Sequence, residues 1–244
     1  MLKFKDLHIG FIDRKSKQEH LLFKKNDLLF QPGDFVALVG PNGSGKTTLF
    51  NTILGFQKEL QGEITFDETS LSQFKREEKV KLISFVPSKF SGVDHLSVYD
   101  LVAMGRAPYT NILNKLTAKD HQIVQAIIDK LNLNSLANKN TLSLSDGERQ
   151  IAMIGKALAQ EAKVMVLDEP TAFLDYNNRR KVLQILKVLA EQNNQLIFIS
   201  SHDLDLCFEF CNKVIAIDKN EKVLKSYSFP FEKKTIVQEI FLED

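Results

Sequence analysis

The 244-residue chain is 43% hydrophobic and 26% charged, the composition of one compact globular unit whose subdomains share an interface. Its 32 Lys and Arg nearly balance 31 Asp and Glu, for a net charge of +1, which excludes whole-molecule attraction to nucleic acid or anionic lipid; an anionic ligand must be met locally. No stretch approaches the roughly 20 apolar residues of a membrane-spanning helix, and Met1-Leu2-Lys3-Phe4-Lys5-Asp6 lacks the apolar core of a secretory signal, so a cytoplasmic protein is expected.

Residues Leu2 to Phe30 predict strands interrupted by a polar turn at Asp13 to Glu19, closed by Pro32-Gly33. The apolar run Phe35-Val36-Ala37-Leu38-Val39 ends in glycine and is followed by a helix pattern from Lys46 to Leu54. Similar runs recur at Leu82 to Val86, Val164 to Leu167, Leu196 to Ile199 and Val214 to Ile217. Strands apolar on both faces and alternating with helices predict an α/β protein with a buried, mainly parallel sheet. From Phe90 to Gln160 the pattern is helical throughout, with apolar spacing at Val98, Leu101 and Val102 and again at Ile123, Ile127 and Leu131. Cys207 and Cys211 are the only cysteines; they read as free thiols and are assigned no function. The expected division is a β subdomain over 1–33, an α/β core over 34–88 and 161–225, a helical subdomain over 89–160 and a tail over 226–244, broken by Pro230 and ending in a short amphipathic helix.

Three segments carry chemistry. Gly40-Pro41-Asn42-Gly43-Ser44-Gly45-Lys46-Thr47 fits G-x-x-x-x-G-K-[ST] between a predicted strand and a predicted helix. Glycines let the backbone wrap a phosphate chain, so that N–H groups and the positive helix terminus face the anion. Lys46 supplies a cation for the β- and γ-phosphates and Thr47 a hydroxyl for magnesium; the plain alternative is a glycine-rich turn without a ligand. Val164 to Leu167 ends in Asp168-Glu169, which assigns Asp168 to magnesium and leaves Glu169 as a general base for water, against the alternative of a carboxylate pair capping a strand. Leu144-Ser145-Asp146-Gly147-Glu148 has capping-box spacing before a helix pattern from Arg149 to Gln160, and such a terminus is also an anion site.

Together these segments resemble the ATP-binding cassette (ABC) family from Leu2 to about Ser226, matching its Walker A, Walker B and signature motifs in order and spacing, with Thr171-Ala172-Phe173-Leu174-Asp175 similar to its D-loop. The resemblance implies a P-loop NTPase core with an N-terminal antiparallel β subdomain and an inserted helical subdomain, and ATP and Mg2+ as cofactors. It implies that Thr48 continues the phosphate loop, that His202 is the switch histidine at the γ-phosphate, and that Phe11 stacks on adenine, although a Phe packed into the core is the competing reading. It further implies a head-to-tail dimer sandwiching two ATP molecules, in which Ser145 and Gly147 of one copy meet the γ-phosphate bound by the other. Three positions depart from the family pattern. Asp146 and Glu148 replace glycine and glutamine, so the Asp146 charge would have to turn outward. Ser88, after Val86-Pro87, stands where the family has the longer Q-loop glutamine, a position that reaches toward magnesium.

Leu96-Ser97-Val98-Tyr99-Asp100-Leu101-Val102-Ala103-Met104-Gly105-Arg106-Ala107-Pro108-Tyr109 resembles the matching segment in ATPases of importers for ferric siderophores, haem and cobalamin; an amphipathic helix with a Gly-Arg-Ala-Pro stop is the plain reading. The importer resemblance implies a separate integral membrane permease docked on this surface, a substrate-binding protein in the full transporter, and a place on the cytoplasmic face of the membrane. An exporter ATPase is a second reading. A soluble ABC ATPase acting on nucleic acid or the ribosome is a third, disfavoured by the balanced charge and by the lack of sustained heptads between Lys46 and Ser145.

Overall fold

The computed structural model of the protein describes residues 1–13, 17–110 and 115–241. Residues 14–16 of the expected polar turn, 111–114 of the expected helical subdomain and 242–244 of the tail lie outside the described residues. In chain order the elements are β1 (Leu2–Ile12), β2 (Glu19–Phe30), β3 (Phe35–Val39), α1 (Lys46–Ile53), β4 (Gln61–Phe66), β5 (Thr69–Ser70), α2 (Arg76–Leu82), β6 (Ile83–Val86), α3 (Val98–Ala103), α4 (Ala118–Lys130), α5 (Asp146–Ala159), β7 (Val164–Leu167), α6 (Tyr176–Asn193), β8 (Leu196–Ser200), α7 (Leu204–Phe210), β9 (Lys213–Asp218), β10 (Val223–Ser228) and α8 (Lys233–Phe241). The chain divides into two compact units, Met1–Lys75 with Gln184–Asp244, and Arg76–Leu183.

The first unit contains an antiparallel sheet in the order β2-β1-β4-β5. β1 pairs with β2 from Leu2 opposite Phe30 to Ile12 opposite Glu19, with register shifts between Phe4 and Gly10. β4 and β5 are strands that the sequence patterns above do not single out; β4 joins the sheet through Leu2 opposite Phe66. Further strands of this unit run in the order β10-β9-β3-β8. β3 is parallel to both β8 and β9, so both its edges are paired, and all five of its residues are buried, as its unbroken apolar run requires. β10 is antiparallel to β9 as far as Ser228. Phe30 of β2 joins the two sets of strands: its ring lies 5.1 Å from Phe4 and 4.9 Å from Phe198, edge to face with each.

In the second unit β6 and β7 are parallel, with Ile83 opposite Val164 and Val86 opposite Leu167. Leu82 closes α2 rather than opening the strand. Among the described residues, the section expected to be helical throughout is three helices separated by 3-10 turns and irregular backbone. In α4 the fully buried positions are Val124 and Ile128, one residue on from the expected Ile123 and Ile127, which are half-buried. α5 begins at Asp146 rather than Arg149, because its capping residue is Ser145. Gly105 lets the turn after α3 lie against the end of α5: a Cβ there would fall 2.2 Å from the Lys156 carbonyl oxygen.

Candidate functional site

The expected site residues fall into two groups, one in each unit. In the first unit, β3 delivers the chain into Gly40 to Gly45 and α1 starts at Lys46. Gly45 has φ +100°, and a Cβ there would stand 2.8 Å from the Phe23 ring, so only glycine makes this entry to the helix without strain. α1 opens with no side-chain cap, and the Ser44 hydroxyl is buried without a hydrogen-bond partner. An uncapped helix start beside an unsatisfied buried hydroxyl is a fitting cradle for phosphate oxygens. Lys46 is itself buried, and its Nζ donates to the carbonyl oxygens of Gly40 at 2.9 Å and Pro41 at 3.2 Å.

Strand register brings His202 to the same end. Leu38 of β3 is opposite Ser200 of the parallel β8, so Gly40 and His202 each lie two residues past a matched pair, at the carboxyl ends where α/β proteins bind ligands. His202 is exposed; Ser201 N–H donates to the Leu38 carbonyl, and Asp203 caps α7 by accepting from Leu206 N–H at 3.2 Å. Thr47 and Thr48 follow Lys46 in the first turn of α1. On β1, Phe11 is 46% exposed, which rules out the core-packed reading; its ring stacks on His20 at 4.9 Å between centroids. Cys207 and Cys211 are buried free thiols, and burial pushes the Cys211 thiol well up from its ordinary pKa.

In the second unit the same logic brings Ser88 and Asp168-Glu169 together, because Val86 and Leu167 are opposite and both chains leave the parallel pair at that end. Asp168 N–H donates to the Val86 carbonyl at 2.9 Å, and the residue is buried. The carboxylate of Asp168 and the hydroxyl of Thr47 are hard oxygen donors of the kind magnesium takes. Gln150, which the sequence reading missed, is buried in α5 and its Nε2 donates to the Pro87 carbonyl at 3.4 Å, one residue before Ser88.

Ser145 and Glu148 form a complete capping box: Ser145 N–H and hydroxyl each donate to Glu148 Oε2 at 2.8 Å, and Glu148 N–H donates back at 3.3 Å. The Ser145 backbone N–H, then its hydroxyl, hold the Glu148 carboxyl below the usual range. Asp146 does turn outward, into an ion pair with Arg149. Gly147 lies against the following loop; a Cβ on it would be 3.1 Å from Leu174 and 3.5 Å from the Phe173 carbonyl oxygen.

The Gly105 to Tyr109 segment clamps the other end of α5. Arg106 is buried; its Nε donates to Asp120 at 2.8 Å, its Nη1 to the Ala159 carbonyl at 2.8 Å and to Glu161 at 2.6 Å, and the Tyr109 ring covers the guanidinium at 4.2 Å. Beside it lies a surface cavity of about 250 Å³ lined by Asp100, Ala103, Met104, Ala107, Thr110 and Leu116. No helix among the described residues is long and apolar enough to cross a membrane.

A family model described as ABC transporter matches residues 23–172. Over 243 residues the chain is 33% identical to an uncharacterized ABC transporter ATP-binding protein of Methanocaldococcus jannaschii, covering 99% of this chain and 81% of that one. Over 201 residues it is 35% identical to the molybdate import ATP-binding protein MolC of Haemophilus influenzae, covering 82% and 74% respectively. A solved structure described as an inward-facing conformation of a metal-chelate type ABC transporter matches with a TM-score of 0.78 at 32% identity, over 93% of this chain and 82% of that one.

Proposed function

The chain belongs to the ABC transporter family, and on that premise we propose that Gly40 to Thr48 hold the phosphates of ATP while Glu169 activates the water that hydrolyses it. The protein is the ATP-hydrolysing subunit of an ABC transporter. In the proposed chemistry Lys46 and the loop N–H groups bind the β- and γ-phosphates and His202 contacts the γ-phosphate. Water attacks the γ-phosphorus as Glu169 takes its proton; the bond to the bridging oxygen breaks, and ADP and phosphate leave. Magnesium supplies charge neutralisation on the phosphates; Thr47 and Asp168 would hold it, with Ser88 acting through a bridging water. Phe11, exposed on its strand, is the proposed adenine platform. Ser145 and Gly147 are proposed to complete the site of a second copy in a head-to-tail dimer.

The observation that carries this reading is the cradle itself: a buried lysine, an unpartnered buried hydroxyl and an uncapped helix at a glycine with φ +100°. Titration with magnesium-ATP tests it. Lys46→Ala removes the ammonium from the loop and is expected to weaken binding on the order of 100-fold, the scale of hydrogen bonds to a charged group; equal affinity would take Lys46 out of the site.

The proposed setting is the cytoplasmic face of a membrane, with the cavity beside Asp100 and Met104 receiving a helix of a separate permease, and with a substrate-binding protein in the full importer. The proposed cargo is a metal chelate of the ferric siderophore, haem or cobalamin class, supported by residues 96–109 and by the likeness to the metal-chelate type transporter. The likeness to a molybdate import protein favours an oxyanion as the second reading. Identifying the integral membrane protein that copurifies with the chain, then measuring uptake of chelate against molybdate in vesicles holding the complex, separates the two; outward transport would overturn both.

A further inference from the structure

Lys219 lies far from the phosphate loop in sequence, yet its Nζ donates to the Asn42 carbonyl oxygen at 3.1 Å. With Lys46 on the carbonyls of Gly40 and Pro41, three successive carbonyls at the start of the loop are held by two ammonium groups. The turn carrying Lys219 joins β9 to β10 and is itself pinned. The Asp218 carboxylate accepts from Asn220 N–H and Glu221 N–H at 2.9 Å each and pairs with Lys225 at 3.1 Å, so that carboxylate is already engaged. Lys24 N–H donates to the Lys222 carbonyl at 2.8 Å, and Leu224 N–H donates to the buried Asn26 side chain at 2.8 Å. A turn fastened at these points presents its lysine to the loop from a fixed base.

The peptide joining Asn42 to Gly43 is a rigid plane in which C=O and N–H point in opposite directions. Whatever fixes the Asn42 carbonyl therefore fixes the Gly43 N–H on the other side. Sterics do not fix it: Gly43, at φ +68°, has no Cβ to hinder rotation of this peptide. We infer that Lys219 is a positioning residue for nucleotide binding, locking the Asn42–Gly43 peptide so that the Gly43 N–H faces the phosphates. The inference rests on the nucleotide reading of the loop.

The test is equilibrium titration with ADP and magnesium at 0.1 M and 1 M salt, on the wild type, Lys219→Met and Lys219→Arg, with thermal melting to verify folding. Lys219→Met is expected to weaken ADP binding about three- to tenfold, the scale of one hydrogen bond. The loss is expected to persist at 1 M salt, where screening over about 3 Å removes through-space attraction but spares a contact that orients the loop. Lys219→Arg, which keeps the charge and an N–H donor for the Asn42 carbonyl, is expected to bind within about twofold of the wild type. Wild-type affinity in Lys219→Met, a defect that vanishes at 1 M salt, or a Lys219→Arg protein as weak as Lys219→Met would each overturn the lock. A wild type that binds no ADP would instead overturn the nucleotide reading beneath it.

Discussion

Glu169 is a non-glycine residue with a left-handed backbone, φ 47°, a conformation costing roughly 1–2 kcal/mol. The turn it opens is closed by Ala172 N–H donating to the Glu169 carbonyl at 3.1 Å, so the chain leaves β7 abruptly just after the buried Asp168. Strain of this kind persists where the surroundings enforce it, and such places are often sites of chemistry. Glu169→Gln keeps the length of the side chain and leaves this turn unaltered, but an amide does not accept the proton of water at neutral pH. Turnover is expected to fall about 10²–10⁴-fold with nucleotide affinity unchanged. Single-turnover hydrolysis beside a nucleotide titration checks this; a wild-type rate would assign the base elsewhere.

At the scale of elements, the helices of the second unit are set at their ends. α5 has the Ser145–Glu148 box at its start and Arg106 on the Ala159 carbonyl at its finish. Ser145→Ala removes a hydroxyl that caps Glu148 N–H and is expected to cost about 1 kcal/mol, read as a lower denaturation midpoint. Ser145→Thr should restore most of it, and no change in stability would mean that the box is not needed to hold the helix. α4 opens on its own box, in which the Thr117 hydroxyl at 2.6 Å, the Thr117 N–H at 2.9 Å and then Arg106 hold the Asp120 carboxyl down at about 2. A carboxyl depressed in the folded state binds protons more readily when unfolded. Its contribution is therefore complete above the ordinary carboxylate pKa and is lost as pH falls from about 4 through about 2. Asp120→Asn is expected to melt lower than wild type at pH 7, with the gap closing between pH 4 and pH 2. A gap independent of pH would show that the charge plays no part.

Across the whole molecule, Ser88 tests the proposed communication between nucleotide and permease. It leaves the parallel pair beside Asp168, and Gln150 of α5 holds the preceding Pro87 carbonyl, while Arg106 ties the far end of α5 to the Gly105 to Tyr109 segment. A serine hydroxyl is too short for the reach of a glutamine amide, and a bridging water is nearly as good enthalpically as a direct bond. Ser88→Gln is thus expected to change permease-stimulated hydrolysis several-fold while moving ATP affinity less than about twofold. Both are measured in a reconstituted complex. A large affinity change with unaltered stimulation would make Ser88 a binding residue instead.

What could be read from the residues alone was local. The run Phe35 to Val39, the glycine-bounded loop and α1 follow one another with spacing set by backbone geometry. The Ser145–Glu148 box needs only residues three apart, within one helical turn. The alternation of buried strands and helices likewise pointed to an α/β core. The helical pattern of α5 is legible only from Arg149, three residues after the helix starts on its Ser145 cap. Tertiary structure alone decided that β4 and β5 extend the first sheet, that Phe11 stands exposed rather than packed in the core, and that Arg106 meets Ala159 and Glu161. It also decided that Lys219 meets Asn42, 177 positions away. Each of these depends on which element lies beside which. A lysine in a polar turn has the same local pattern whether it faces water or a carbonyl, and only the path of the chain through the sheet selects its partner.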